Sequence, residues 1–151
     1  MARRVWTPAV TVAAVIERDG KFLLIEERDG PELVLNQPAG HWEEGETLQA
    51  ACVRETAEES AYAFIPTALV GIYRWRPPPS ATTYLRFAFT GRVGECDVNR
   101  TLDEGITRSV WMTVDEIRDS RARHRSPLVL RCVEDFLAGN RFSLDLLTHF
   151  E

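Results

Sequence analysis

Glu55, Glu58 and Glu59 close a segment that runs from Gly40-His41-Trp42-Glu43-Glu44-Gly45-Glu46 to Arg54-Glu55-Thr56-Ala57-Glu58-Glu59. Thr47 stands where an N-cap belongs, before a run of good helix formers, so the spacing predicts a helix over about Thr47 to Ala61. At roughly 100° per residue, Ala50, Val53 and Ala57 share a small-residue face, expected to pack on a sheet. Leu48, Cys52, Glu55 and Glu59 share the opposite face, and Glu58 flanks them. That face begins apolar and ends in carboxylates. Like charges three and four residues apart repel by roughly a few tenths of a kcal/mol. Carboxylates near a helix C-terminus also oppose the macrodipole, by ~0.3–1 kcal/mol each. For three glutamates alone, a solvated acidic surface is the simpler reading. A hard divalent cation reverses it: Mg²⁺ takes a few carboxylate oxygens and keeps waters for substrate phosphates.

The wider spacing decides between them. Gly40, Glu46, Arg54, Glu55, Glu58 and Glu59 fit G-x5-E-x7-R-E-U-x-E-E-x-G-U, and the segment resembles the signature of the Nudix hydrolases. Thr56 and Ala61 depart from it, at the aliphatic position and the final Gly. Neither supplies a ligand atom, and Ala61 puts in doubt only how sharply the helix ends, because Ala tolerates left-handed geometry poorly. Val10-Thr11-Val12-Ala13, Asn36-Gln37-Pro38-Ala39-Gly40-His41, Leu85-Arg86-Phe87 and Arg125-Ser126-Pro127-Leu128 are similar to the NudJ-type phosphatases, over about residues 8 to 150. The resemblance implies an α/β/α sandwich with a mixed central sheet, and Mg²⁺-dependent (or Mn²⁺-dependent) cleavage of a phosphoanhydride by water. It implies metal ligands at Glu55, Glu58 and Glu59, one of them a possible base, and at the Gly40 carbonyl. Arg54 and Glu46 resemble the pair that orients the helix, a role suited to a rigid guanidinium fork on a carboxylate.

Substrate contacts are sought on the later strands. Arg74, Trp75, Arg76, Tyr84 and Arg86 gather on paired strands, where Arg86 or Arg74 would hold phosphate and Trp75 or Tyr84 would stack on a ring. The alternative is a solvated strand face with Trp75 in the core; Arg86 is the first choice. Gln37 and His41 are expected to line the site. No second His or Cys stands at ligand spacing from His41, so it is not read as a metal ligand. Asp103 or Glu104 could add a carboxylate, although a solvated loop acid is the preferred reading. His124 and His149 read as surface or satisfied residues, and Cys52 as a packing residue.

The elements that must hold these residues follow from periodicity and punctuation. Val10–Ile16 and Lys21–Ile25 read as strands around the Asp19-Gly20 turn, followed by a short strand over Glu32 to Gln37. Two longer strands are expected at about Ala68–Arg76 and Thr82–Val93, around Pro77-Pro78-Pro79-Ser80. In the second, Leu85, Phe87 and Phe89 alternate with Tyr84, Arg86 and Ala88, which predicts one buried and one available face. A short strand at Val110-Trp111-Met112 precedes a helix capped by Thr113 with Glu116 in the capping-box position. The last helix is expected from Ser126-Pro127 to Gly139-Asn140, with Leu128, Val129, Cys132, Val133, Phe136 and Leu137 as its core stripe. This order of elements indicates an α+β or mixed-sheet sandwich.

Composition bounds the rest. With 151 residues, 44% hydrophobic and 27% charged, one domain over 1–151 is expected, with the motif at 40–62. Pro8 to Ile16 is far short of the ~20 residues of a spanning helix, and Met1-Ala2-Arg3-Arg4 is not followed by a signal-type apolar run. A net charge of −5 disfavours a general nucleic-acid binder. Cys52, Cys96 and Cys132 form no C-x-x-C pair, which suits a reducing cytoplasm. The expected partner is a small phosphorylated molecule, with no nucleic acid, no membrane and a monomeric chain. For substrates, the resemblance implies nucleoside tri- and diphosphates, thiamine diphosphate and its hydroxymethylpyrimidine diphosphate precursor, with orthophosphate released. The alternatives are a nucleotide-sanitising enzyme releasing pyrophosphate, a non-catalytic sensor of the same fold, and an RNA-end processor, against which the net charge counts.

Overall fold

The computed structural model describes residues 2–79 and 81–151. Met1 and Ser80, the latter part of the expected Pro77–Ser80 break, lie outside the described residues. The strands are β1 (Ala9–Ala14), β2 (Glu17–Arg18), β3 (Lys21–Asp29), β4 (Glu32–Asn36), β5 (Ala39–His41), β6 (Tyr62–Trp75), β7 (Tyr84–Cys96) and β8 (Ile106–Thr113). The helices are α1 (Leu48–Ser60), α2 (Val114–Asp119) and α3 (Leu128–Leu137). One sheet runs β5-β1-β7-β6, with β1 and β7 parallel and its other pairs antiparallel. In the second, β3 pairs antiparallel with β2, β4 and β8. The fold is α+β with a mixed sheet.

Consecutive side chains on a strand point to opposite faces, and here both faces are buried. Val12, Ala14, Ile16 and Leu23 join Leu48, Ala51 and Cys52 of α1 in one core. Val15, Phe22 and Leu24 join Ile117 of α2 and Val129, Cys132 and Val133 of α3 in the other. That is why β1 and β3 read as unbroken apolar runs. It also corrects the expectation of an available face on β7. Arg86 and Ala88 are buried there, while Leu85 and Phe87 are only half-buried, because α3 covers the side expected to be open.

Helix α1 starts as expected, with Thr47 Oγ1 accepting from the Ala50 amide at 3.0 Å. Its packing face is the reverse of the expected one. Leu48, Ala51, Cys52, Glu55, Thr56, Glu59 and Ser60 are buried, whereas Ala50 and Val53 are exposed. Leu48, Ala51 and Cys52 offer more apolar area to the core than Ala50 and Ala57 do. The polar members of the buried face are satisfied within the helix: Thr56 donates to the Cys52 carbonyl at 2.7 Å and Ser60 to the Thr56 carbonyl at 2.6 Å. Thr56 therefore fills an aliphatic position without an unpaired hydroxyl. Ala61 ends the helix in the left-handed region at φ 64°, its amide bonded to the Ala57 carbonyl.

Strand β6 begins six residues before the expected Ala68, because Pro66 is accommodated at a register shift on an edge strand. Strand β8 is longer than Val110–Met112, its polar Arg108 and Ser109 pairing with β3 nonetheless and Thr107 falling at a register shift. The Thr113–Glu116 capping box forms in both directions. In α3 the stripe holds at Leu128, Val129, Cys132 and Val133, but Phe136 is half-buried and Leu137 is 51% exposed.

Candidate active site

A cavity of about 520 Å³ opens where β5, the end of α1, β7 and the start of α3 meet. One guanidinium organises its acidic wall. Arg54 grips Glu46 with two bonds, Nε to Oε2 at 3.0 Å and Nη2 to Oε1 at 2.7 Å. Its Nη1 reaches Glu55 at 2.8 Å and Glu58 at 3.2 Å, and Nη2 also donates to the His41 carbonyl at 3.0 Å. The loop before α1 is thereby tied to the last turns of the helix. The same contacts hold the Glu46 carboxyl below the usual carboxylate range and raise the Arg54 pKa.

Gly40 sits against Glu55 so closely that an added Cβ would lie 2.2 Å from the carboxylate carbon. Only glycine leaves that space. Burial raises the Glu55 pKa, opposed mainly by Arg54. Glu59 lies deeper, accepts from the Ala39 amide at 2.8 Å, and is pushed up to about 8, chiefly by burial.

Among the described residues, one group of three acids offers ligand atoms within 4.8 Å of one another: Glu55, Glu58 and Asp103. Asp103 is held there by its amide, which donates to the Glu58 carbonyl at 3.0 Å. The loop acid read as solvated thus joins the cluster, while Glu104 and Glu59 are not part of that group. The donors are hard oxygens with no imidazole or thiolate among them. Such a set fits a divalent cation of the Mg²⁺ or Mn²⁺ kind and could hold one.

The opposite wall carries Arg86. It is 6% exposed and its partners are neutral: Nη1 donates to Gln37 Oε1 and Nη2 to Asn36 Oδ1, both at 3.0 Å, and Nη1 also meets Cys132 Sγ at 3.9 Å. It makes no ion pair among the described residues. Gln37 is locked in turn by its Nε2 bond to the Val129 carbonyl at 2.7 Å, so it stands behind Arg86 and does not line the cavity as expected. Trp75 and Tyr84 do line it, stacked at 5.8 Å with 28° between their planes, as do Gly40 and His41. Arg74 does not. Alternation along β6 points it away from Trp75, and it is exposed, as Arg76 is. Trp75 is half-buried at the cavity and not in the core. His149 accepts from the Leu48 amide at 3.3 Å and His124 lies 3.3 Å from Ser120 Oγ, so both are satisfied.

Several lining residues carry no site assignment from sequence: Thr11, Glu27, Asn36, Glu43, Arg125 and Ser126. Asn36 carried a usable signal, since a polar pair at the end of an apolar strand is costly unless it has partners. Glu27 pairs with Arg125 at 3.2 Å across nearly a hundred residues, for which no local pattern exists.

The NUDIX domain family matches residues 5–132. The chain belongs to the Nudix hydrolase family. This Nudix chain is 34% identical over 143 residues to phosphatase NudJ of Escherichia coli K12, covering 95% of this chain and 92% of that protein. It is 52% identical to a NUDIX hydrolase from Nitrosomonas europaea, with a TM-score of 0.93 over 95% of this chain and 98% of the other. A MutT NUDIX hydrolase from Burkholderia pseudomallei, at 19% identity, TM-score 0.72 and coverage of 86% and 98%, shares the fold. Membership makes this chain a hydrolase.

Proposed function

We propose that this Nudix hydrolase cleaves the terminal phosphoanhydride of small pyrophosphate compounds, using Mg²⁺ and releasing orthophosphate. The observation that carries the reading is Arg86, a buried guanidinium with no carboxylate partner among the described residues, facing the same cavity as Glu55 and Glu59. A buried cation held only by neutral groups is matched when an anion arrives with the ligand, and phosphate oxygens suit its fork. The acidic wall would repel that anion unless a divalent cation lay between them. The two walls together favour one kind of ligand, a metal-chelated chain of phosphates.

Glu55, Glu58 and Asp103 would hold the metal, with the Gly40 carbonyl as a further candidate. When bound, such a cation neutralises phosphate charge and lowers the pKa of a bound water. Arg54 and Glu46 are positioning residues that keep Glu55 and Glu58 in place. Glu59 is assigned the water's proton, because burial raises its proton affinity toward neutral pH, where a general base works best. The water oxygen attacks the terminal phosphorus, the bridging P–O bond breaks, and its electron pair leaves on the departing phosphate. Arg86 holds the terminal phosphate while Trp75 and Tyr84 offer a flat surface to the ring.

Similarity to phosphatase NudJ supports terminal attack, on nucleoside tri- and diphosphates, thiamine diphosphate or its hydroxymethylpyrimidine precursor. The wider setting we assign is a single domain over 1–151, monomeric and cytoplasmic, with no nucleic-acid or membrane partner. Three unpaired cysteines support it, and no helix among the described residues is long and apolar enough to cross a membrane. The test is hydrolysis in ¹⁸O-water with phosphorus NMR of the products from GTP, GDP and thiamine diphosphate. Label in orthophosphate is expected. Release of pyrophosphate from GTP would move the chain to nucleotide sanitising, and inertness toward all three would remove the substrate class.

A further inference from the structure

Beside the acidic cavity lies a second one, of about 470 Å³, sharing Trp75, Arg125 and Ser126 with it. Its charge is opposite. The first is lined by Glu27, Asp29, Glu43, Glu55 and Glu59 against Arg86 and Arg125. The second is lined by Arg121, Arg125 and Arg131 against a single carboxylate, Glu134; Arg125 is paired with Glu27 of the first cavity at 3.2 Å, which leaves Arg121 and Arg131 as the cations proper to the second. Glu134 already faces Arg118 at 4.0 Å, and Arg131 engages Asp135 through Nε at 3.1 Å. Arg121 has no ion pair among the described residues. Burial holds the His124 imidazole below its usual pKa, so it adds a hydrogen-bonding group and little charge near neutral pH. In a chain of net charge −5, this concentration of guanidinium groups in one concavity attracts an anion.

We infer that the second cavity is a subsite for a phosphate carried on the substrate beyond its ring, remote from the anhydride that is cleaved. Trp75 borders both cavities. A compound with its anhydride in the acidic cavity and its ring on Trp75 places a distal phosphate beside Arg121 and Arg131. The chemical class is a ring compound phosphorylated at both ends, and the inference rests on the hydrolysis proposed above for which end is cut.

Binding tests it apart from turnover, with ligands that contain no anhydride. The whole chain in Mg²⁺ is titrated calorimetrically with adenosine 3′,5′-bisphosphate and with AMP. The bisphosphate is expected to bind roughly tenfold tighter or more at low ionic strength, as a charge-assisted contact would give. Arg121→Ala should remove most of that advantage and Arg121→Glu all of it, with AMP affinity unchanged in both. Equal affinities in the wild type, or an advantage that survives both substitutions, would overturn the subsite. AMP affinity that rises with added orthophosphate, as much as the attached group raises it, would assign the cavity to free phosphate and overturn the substrate assignment. Failure of the proposed hydrolysis would show separately, as absence of labelled phosphate, and leaves this titration decisive.

Discussion

Gly40→Ala tests the acidic wall without removing any ligand. The backbone of Gly40 is an ordinary strand paired with Val12, so alanine is not strained there. The difficulty is space. The new Cβ would stand 2.2 Å from Glu55 Cδ and 2.3 Å from both carboxylate oxygens, where ordinary contact begins at 3.4 Å. The carboxylate must therefore retreat by about 1 Å, which van der Waals repulsion enforces. Glu55 is a flexible side chain, so it moves at little cost to the fold. It loses at most its 2.8 Å bond to Arg54, a partly exposed pair worth ~1 kcal/mol or less. At a reacting centre, a displacement of about 1 Å costs on the order of a hundredfold in rate. The expected result is kcat lowered roughly a hundredfold at saturating Mg²⁺, with the urea midpoint changed by no more than ~1 kcal/mol in stability. Turnover within threefold of wild type would refute the reasoning, because Glu55 would then be placed too loosely to matter.

Glu59→Gln should lower kcat by several orders of magnitude while raising metal-free stability at pH 8. The folded pKa, about 8, lies above the reference 4.5, so this carboxyl's contribution is fully present below 4.5 and is lost as pH rises through 8. The wild-type-minus-variant difference in melting temperature, taken without metal from pH 5 to 9, checks that sign; a difference independent of pH would refute it. Arg86→Ala should reduce kcat/KM a hundredfold or more, while the amide oxygens of Asn36 and Gln37 take water in the vacated space at a stability cost of about 1–3 kcal/mol. Unchanged kcat/KM would return Arg86 to a structural role. Phe136, edge-on to Phe22 with ring centroids 5.4 Å apart and half-buried, should cost about 2 kcal/mol on truncation to Ala, below the ~3–5 of a fully buried ring. Denaturant unfolding measures it.

What could be read from the sequence was set by short-range geometry. The helix repeat brings Glu55, Glu58 and Glu59 near one another whatever the rest of the chain does. Eight residues from Glu46 to Arg54 leave little freedom in how that pair meets across the helix start. The Thr47 cap and the Thr113–Glu116 box are likewise decided within a single turn.

The tertiary structure decided whatever depends on how distant elements face each other. A helical wheel gives two faces of α1 but not which one meets the sheet, and burial chose the side with Leu48 and Cys52. Asp103 enters the cluster because its loop is bonded to the Glu58 carbonyl, and Arg86 is caged by Asn36 and Gln37 from a strand some fifty residues away. Arg74 and Trp75 are neighbours in sequence, yet the pleat of β6 and its register shifts send only Trp75 to the cavity. Periodicity constrains residues within an element. The register and packing between elements follow from burying both faces of the sheet at once, a condition the whole chain satisfies together and no local segment contains.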